Sequence, residues 1–106
     1  MSTAPDYIEY VCEQISDAGA VRYRKMFGEY MVYVNEKPIL LVCDNTVYVK
    51  MLDIIADIMK DADKGFPYKG AREHYILDID NSHLSREVIE LLEPHISIPK
   101  PKKKKL

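Results

Sequence analysis

Apolar residues recur at helical spacing near the start of the chain, where Ile8, Val11, Ile15 and Ala18 are three or four positions apart. Thr3 offers a capping hydroxyl ahead of them, Pro5 suits a first helical turn, and Asp6 places an acid three residues after the cap. Gly19 stands where a left-handed C-cap is wanted, so the spacing predicts a helix from Pro5 to Ala18.

From Val21 to Lys50 the period shortens to two and the composition shifts to Val, Tyr and Ile, with turn-like Phe27-Gly28, Asn35-Glu36-Lys37 and Asp44-Asn45 between the runs. This pattern predicts four short strands in an antiparallel meander. Val21 and Tyr23 share one face of the first strand and Arg22 and Arg24 the other; in the last, Val47 and Val49 oppose Thr46, Tyr48 and Lys50. One sheet face is thus expected to be apolar and the other mixed. Tyr30 to Val34 and Ile39 to Cys43 are apolar almost throughout, which predicts central strands covered on both sides, with Pro38 at the start of the second.

Helical spacing returns at Leu52, Ile55, Met59 and Ala62, with Asp53 and Asp57 toward the positive end and Gly65 and Pro67 beyond, predicting a second helix over 52–63. Residues 65–70 read as a loop, and alternation at Tyr75, Leu77 and Ile79 predicts a fifth strand over 73–79. Ser82 and Ser85 are alternative caps for a last helix with Leu84, Val88, Leu91 and Leu92 as its buried stripe, ending near Pro94. The order is helix, four-strand meander, helix, strand, helix: an α+β fold with an antiparallel sheet of about five strands and about three helices. A domain is expected over 1–97, followed by a solvated Lys/Pro-rich tail over 98–106.

A chain of 106 residues, 47% hydrophobic and 30% charged, suits one globular core and is too apolar for a disordered chain. Five of its fifteen basic residues (Lys100, Lys102, Lys103, Lys104, Lys105) fall in the tail, leaving ten against seventeen acids, a charge of −7, over residues 1–99. So acidic a body does not attract phosphate over its whole surface, and any nucleic-acid contact must be local. No apolar stretch exceeds five residues, as in Ile39 to Cys43, against the ~20 needed to span a bilayer. Cys12 and Cys43 form no CxxC pair and follow no signal peptide, which predicts a cytoplasmic protein with two reduced, buried thiols and no membrane association.

Candidate chemistry is sparse. His74, His83 and His95, expected in a strand, a loop and a helix, have no partner at metal-ligand spacing, and neither cysteine sits at an electropositive turn. Asp57 and Asp61 lie one helical turn apart, a spacing that more often makes a solvated face than a cation site. Gly65 and Gly70 flank a loop with Lys69 and Arg72 but match no phosphate-binding glycine motif. No catalytic or metal site and no cofactor is therefore expected. What remains is a candidate partner or nucleic-acid surface: Arg22, Arg24, Tyr48 and Lys50 on the mixed sheet face, if their strands are neighbours, with Tyr68, Lys69 and Arg72 from the loop.

The stretch from Arg24 through Met26, Phe27 and Gly28 to Tyr33 resembles the opening R-x-M-F-G signature of the TfoX/Sxy N-terminal domain, which leads into an aromatic-rich strand. The resemblance continues through Thr46 to Lys50, Phe66 to Gly70 and Tyr75, and covers residues 7–96. It implies a non-enzymatic α+β domain of the kind found in regulators of DNA-uptake competence, where it acts with a second helical domain and a transcription-activating partner. Here Glu29 and Met31 stand where glycines usually follow the signature, and the lysine tail stands where a second domain would, as in a stand-alone single-domain member. Arg24, Met26, Phe27 and Gly28 are read as structural, with Met26 and Phe27 plugging the core at a bend that Gly28 permits. The expectation is a regulatory module, monomer or homodimer, that binds a protein partner; the alternative is weak nucleic-acid binding through the tail and the basic, aromatic sheet face.

Overall fold

The computed structural model describes residues 3–26 and 29–98. Helix α1 (Pro5–Gln14) leads through a 3-10 turn, Ser16–Ala18, into strands β1 (Val21–Met26), β2 (Glu29–Val34), β3 (Lys37–Cys43) and β4 (Thr46–Lys50). A 3-10 turn at Asp53–Ile55 precedes β5 (Lys64–Gly65) and β6 (His74–Ile76), and helix α2 (Ser82–Leu92) ends in a 3-10 turn, Glu93–His95. The strands form one six-stranded antiparallel sheet in the order β1-β2-β3-β4-β6-β5. The α+β class and the four-strand meander agree with the sequence; the sheet has six strands rather than five, and the described residues hold two α-helices rather than three.

Both tight hairpins are set by two residues with positive φ, Asn35 and Glu36 (52° and 69°) and Asp44 and Asn45 (51° and 57°). Such primed turns match the right-handed twist of the strands they join. The Phe27-Gly28 turn lies outside the described residues. A bulge opposite Val32 and Tyr33 absorbs Ile39, and from there Leu40 and Val42 fall in step with Val32 and Tyr30.

The core lies on one side of the sheet, where Val32, Val34, Leu40, Val42, Val47 and Val49 meet Ile8, Val11 and Ile15 of α1 and Val88, Ile89 and Leu92 of α2. β2 therefore alternates buried and half-buried positions and is not covered on both sides as expected; Met31 and Tyr33 face away from the helices, as does Leu41 of β3. Met26 is 38% exposed, on the same side of β1 as Arg22 and Arg24, so it does not plug the core. Phe27 and Gly28, the rest of that motif, lie outside the described residues.

Thr3 does not cap α1. The N-cap is Ala4, without a side-chain bond, and the Thr3 hydroxyl instead donates to Glu29 Oε1 at 2.7 Å and accepts from the Asn45 N–H at 3.2 Å. Asn45 Oδ1 in turn accepts from Ala4 N–H at 2.9 Å, so the first described residues are clasped to the β3–β4 turn. The helix stops at Gln14 rather than Ala18, and Gly19, at φ 147°, follows the 3-10 turn instead of capping α1. A Cβ on Gly19 would stand 2.7 Å from the Asn35 side chain, whose Oδ1 accepts from Ala20 N–H.

The second helix expected over 52–63 is a 3-10 turn followed by hydrogen-bonded turns, mostly closing over three residues (Ala56 to Asp53, Lys60 to Asp57, Ala62 to Met59). Asp and β-branched Ile dominate the segment and favour the helix poorly. It is held by burial of Ile55 and Met59, about 1.5–3 kcal/mol each, which needs no regular helix. Asp57 and Asp61 are thus not on an α-helical face. Gly65, expected in a loop, pairs with His74 in β5, and the strand expected over 73–79 is regular only at His74–Ile76. In α2 the cap is Asn81, whose carboxamide accepts from Leu84 N–H, and the buried stripe is Ser85, Val88, Ile89 and Leu92, leaving Leu84 and Leu91 half-buried. His83 consequently lies in the helix and His95 in the turn after it.

Candidate functional site

The sheet face away from the helices carries a continuous row of side chains. Register pairing aligns Arg24 with Met31, Met31 with Leu41, Leu41 with Tyr48 and Tyr48 with Ile76. Beside it Lys50 pairs with His74. Gly65 of β5 lies under this row, where a Cβ would come within 3.3 Å of Ile76 and 3.4 Å of Tyr48. The absence of a side chain there lets Tyr48 settle half-buried, its ring edge-on to His74 with centroids 6.4 Å apart.

The segment between β5 and β6 rises beside this face and turns it into a groove of about 790 Å³. Met31, Leu41, Tyr48, Met51, Leu52 and Tyr68 give it an apolar lining, and Lys50, Arg72 and His74 sit at its border with Glu73. Tyr68 and Phe66 are 60% and 61% exposed, the largest exposures among the large hydrophobic side chains of the described residues. At the start of β6, His74 Nδ1 bonds the carbonyl of Arg72 in the loop at 2.7 Å, which fixes the ring at the groove edge.

Of the residues singled out in the sequence, Tyr48, Lys50, Tyr68 and Arg72 converge on the groove. Arg24 flanks it through its pairing with Met31. Arg22 does not join: its guanidinium lies 4.3 Å from the Tyr33 ring centre and its Nε and Nη2 bond Glu36 at 2.8–3.2 Å. Those bonds hold the Glu36 carboxyl below its ordinary range and raise the guanidinium further. Lys69 does not line the groove. β1 and β4 are not neighbours, because β2 and β3 separate them, so the basic residues flank an apolar strip instead of forming one patch. Lys100, Lys102, Lys103, Lys104 and Lys105 lie outside the described residues. Met31, Leu41, Met51 and His74 were missed; the outward parity of Met31 and Leu41 was the available signal, obscured because their neighbours are apolar too.

Charge is segregated. Among the described residues the ion pairs are Arg22 with Glu36 and Lys37 with Glu93, so Arg24, Lys50 and Arg72 have no carboxylate partner. Acidic groups gather in a separate cleft of about 570 Å³ bordered by Asp61, Asp63, Asp78 and Asp80. Burial, then the Asp80 and Asp78 carboxylates, raise the Tyr7 phenol there, and Tyr10 donates to Asp80. No group of three or more His, Cys, Asp or Glu among the described residues is placed to hold a metal ion.

Neither thiol is prepared for nucleophilic work. Cys43 is buried, and burial together with Glu29 and Asp44 pushes it up to about 11; Cys12 is half-buried rather than buried, and also raised, by burial and Glu9. Burial likewise raises the Tyr48 phenol, with further contributions from Cys43 and Asp44, so it meets a ligand as a neutral donor. No helix among the described residues is long and apolar enough to cross a membrane.

Fold and groove together define a small α+β domain that keeps its helices on one side of an antiparallel sheet and leaves the other side open. The chain belongs to the TfoX N-terminal domain family, whose family model matches residues 13–86. It is also similar to an uncharacterised 12.7 kDa protein in the trpE 5' region of Spirochaeta aurantia, 30% identical over 107 residues that cover 99% of this chain and 93% of that protein.

Proposed function

We propose that the protein is a non-enzymatic regulatory module that docks a protein partner on the open face of its sheet, in an assembly controlling DNA-uptake competence or transcription. The observation that carries this reading is the groove: apolar side chains stay uncovered beside cations without carboxylate partners. Family membership supports a regulatory role, since the TfoX N-terminal domain is not a known enzyme family. The test is affinity capture from lysate with the wild type and with a variant bearing alanine at Arg24, Tyr48 and Lys50. The expected result is unchanged thermal stability with loss of one discrete protein; retention of that protein by the variant rejects the groove as the docking surface.

A second reading rests on the placing of Tyr48 and Tyr68 beside Lys50 and Arg72, a combination that can stack and neutralise a nucleic-acid strand. It predicts weak binding of a single-stranded oligonucleotide that falls steeply with salt and is lost on deleting residues 100–106. Salt-independent or undetectable binding excludes it.

A further inference from the structure

We infer that the occupant of the groove is an amphipathic segment of a partner protein, with carboxylates on both flanks of an apolar ridge. This rests on the docking proposed above and names the chemistry of what docks. Besides the rings of Tyr48, Tyr68 and His74, the groove is lined by the aliphatic and thioether side chains of Met31, Leu41, Met51 and Leu52, which adapt to irregular apolar side chains. Its volume of about 790 Å³ lies within the few hundred to ~1,000 Å³ of ligand clefts.

The cations bracket that centre from two sides. Arg24 follows Met31 on the β1 side, while Lys50 and Arg72 stand on the β6 side. Three interstrand spacings, roughly 14 Å, separate β1 from β4, so one carboxylate cannot serve both flanks. Among the described residues neither ion pair involves Arg24, Lys50 or Arg72, and Glu73 is the one acidic residue in the groove lining, which leaves these cations available to an incoming anion. A second copy of the chain is disfavoured as occupant, because this face carries Arg24, Lys50 and Arg72 against one lining acid, Glu73, so a two-fold contact would bring more cations together than it has carboxylates to pair them. Tyr68, 60% exposed and in the groove lining, supplies an aromatic anchor of the kind found at protein interfaces.

The test uses the full chain and a fluorescein-labelled 14-residue helical peptide with a leucine and phenylalanine ridge flanked by glutamates, read by anisotropy. A twin peptide with lysines in place of the glutamates and a labelled 12-nucleotide oligo(dT) serve as comparisons. The expected result is at least tenfold tighter binding of the glutamate peptide than of its twin, weakening as salt rises. K50E/R72E should reverse that order, and L41A should weaken both peptides without lowering thermal stability below the assay temperature. Equal binding of the two peptides, no reversal in K50E/R72E, no binding of either peptide, or preferential binding of oligo(dT) overturns the inference. A lysate protein lost on L41A but captured through a basic segment overturns the acidic chemistry while leaving the docking reading in place; capture that ignores both L41A and Y48A removes the two together.

Discussion

Replacing Thr3 by valine keeps the shape of a side chain that is 4% exposed and deletes its hydroxyl. Three contacts are lost: the hydroxyl proton's short bond to Glu29 Oε1 at 2.7 Å, its longer approach to the Val42 carbonyl at 3.4 Å, and the bond accepted from Asn45 N–H at 3.2 Å. Glu29 keeps the Asp44 N–H at 3.0 Å, and Asn45 lies in an exposed turn where water can reach its N–H. The cost is therefore mainly that of one hydrogen bond to a carboxylate, about 2 kcal/mol. For a domain of this size, that corresponds to a fall in Tm on the order of 10 °C. Urea titration followed by circular dichroism should show a lower midpoint with an unchanged slope, because the surface exposed on unfolding is the same. T3S should recover most of the loss. A T3V midpoint indistinguishable from wild type, or a T3S protein as weak as T3V, would show that the clasp on the β3–β4 turn contributes nothing and that burial alone holds the N-terminus.

Leu40 and Leu41 are adjacent in sequence and opposite in role. L40A removes a fully buried side chain and should cost about 3 kcal/mol in denaturant unfolding, whereas L41A, half-buried on the open face, should cost less than about 1.5; equal costs would refute the one-sided core. Cys43, raised by burial from 9.0 to about 11, holds its proton more tightly folded than unfolded. Its contribution to stability is thus complete below pH 9 and disappears as pH climbs through about 11, so the unfolding midpoint of the wild type should fall across that interval more than that of C43A. Parallel pH profiles for the two proteins would contradict this. Native-state alkylation at pH 8 should label Cys12 before Cys43, the reverse order ruling out the burial difference.

The meander was legible because alternation and turn chemistry agree there: Asn35, Asp44 and Asn45 all tolerate positive φ, and each turn separates two apolar runs. The helix expected over 52–63 failed because a burial spacing of three or four is met as well by 3-10 turns as by an α-helix. β5, at two residues, is too short to show any period, and only pairing with β6 defines it. The groove was half legible. Tyr48, Lys50, Tyr68 and Arg72 stood out by residue type, but what joins them is the insertion of β6 between β4 and β5, a non-local contact that no local pattern encodes. That Arg22 pairs with Glu36 and stands apart from the groove could not be read locally, because it depends on the β1–β2 register.

The bulge at Ile39 has a consequence for how this domain can change. By resetting the step of β3 it leaves Leu40 and Val42 on the helix side and Leu41 on the open side, in line with Met31 and Tyr48. Core packing and open-face chemistry are thereby written at alternate positions of the same strands. Substitutions at the open-face set alter the chemistry of the proposed docking surface at modest cost to the core, so a lineage carrying this sheet can vary that surface one residue at a time without passing through unfolded intermediates.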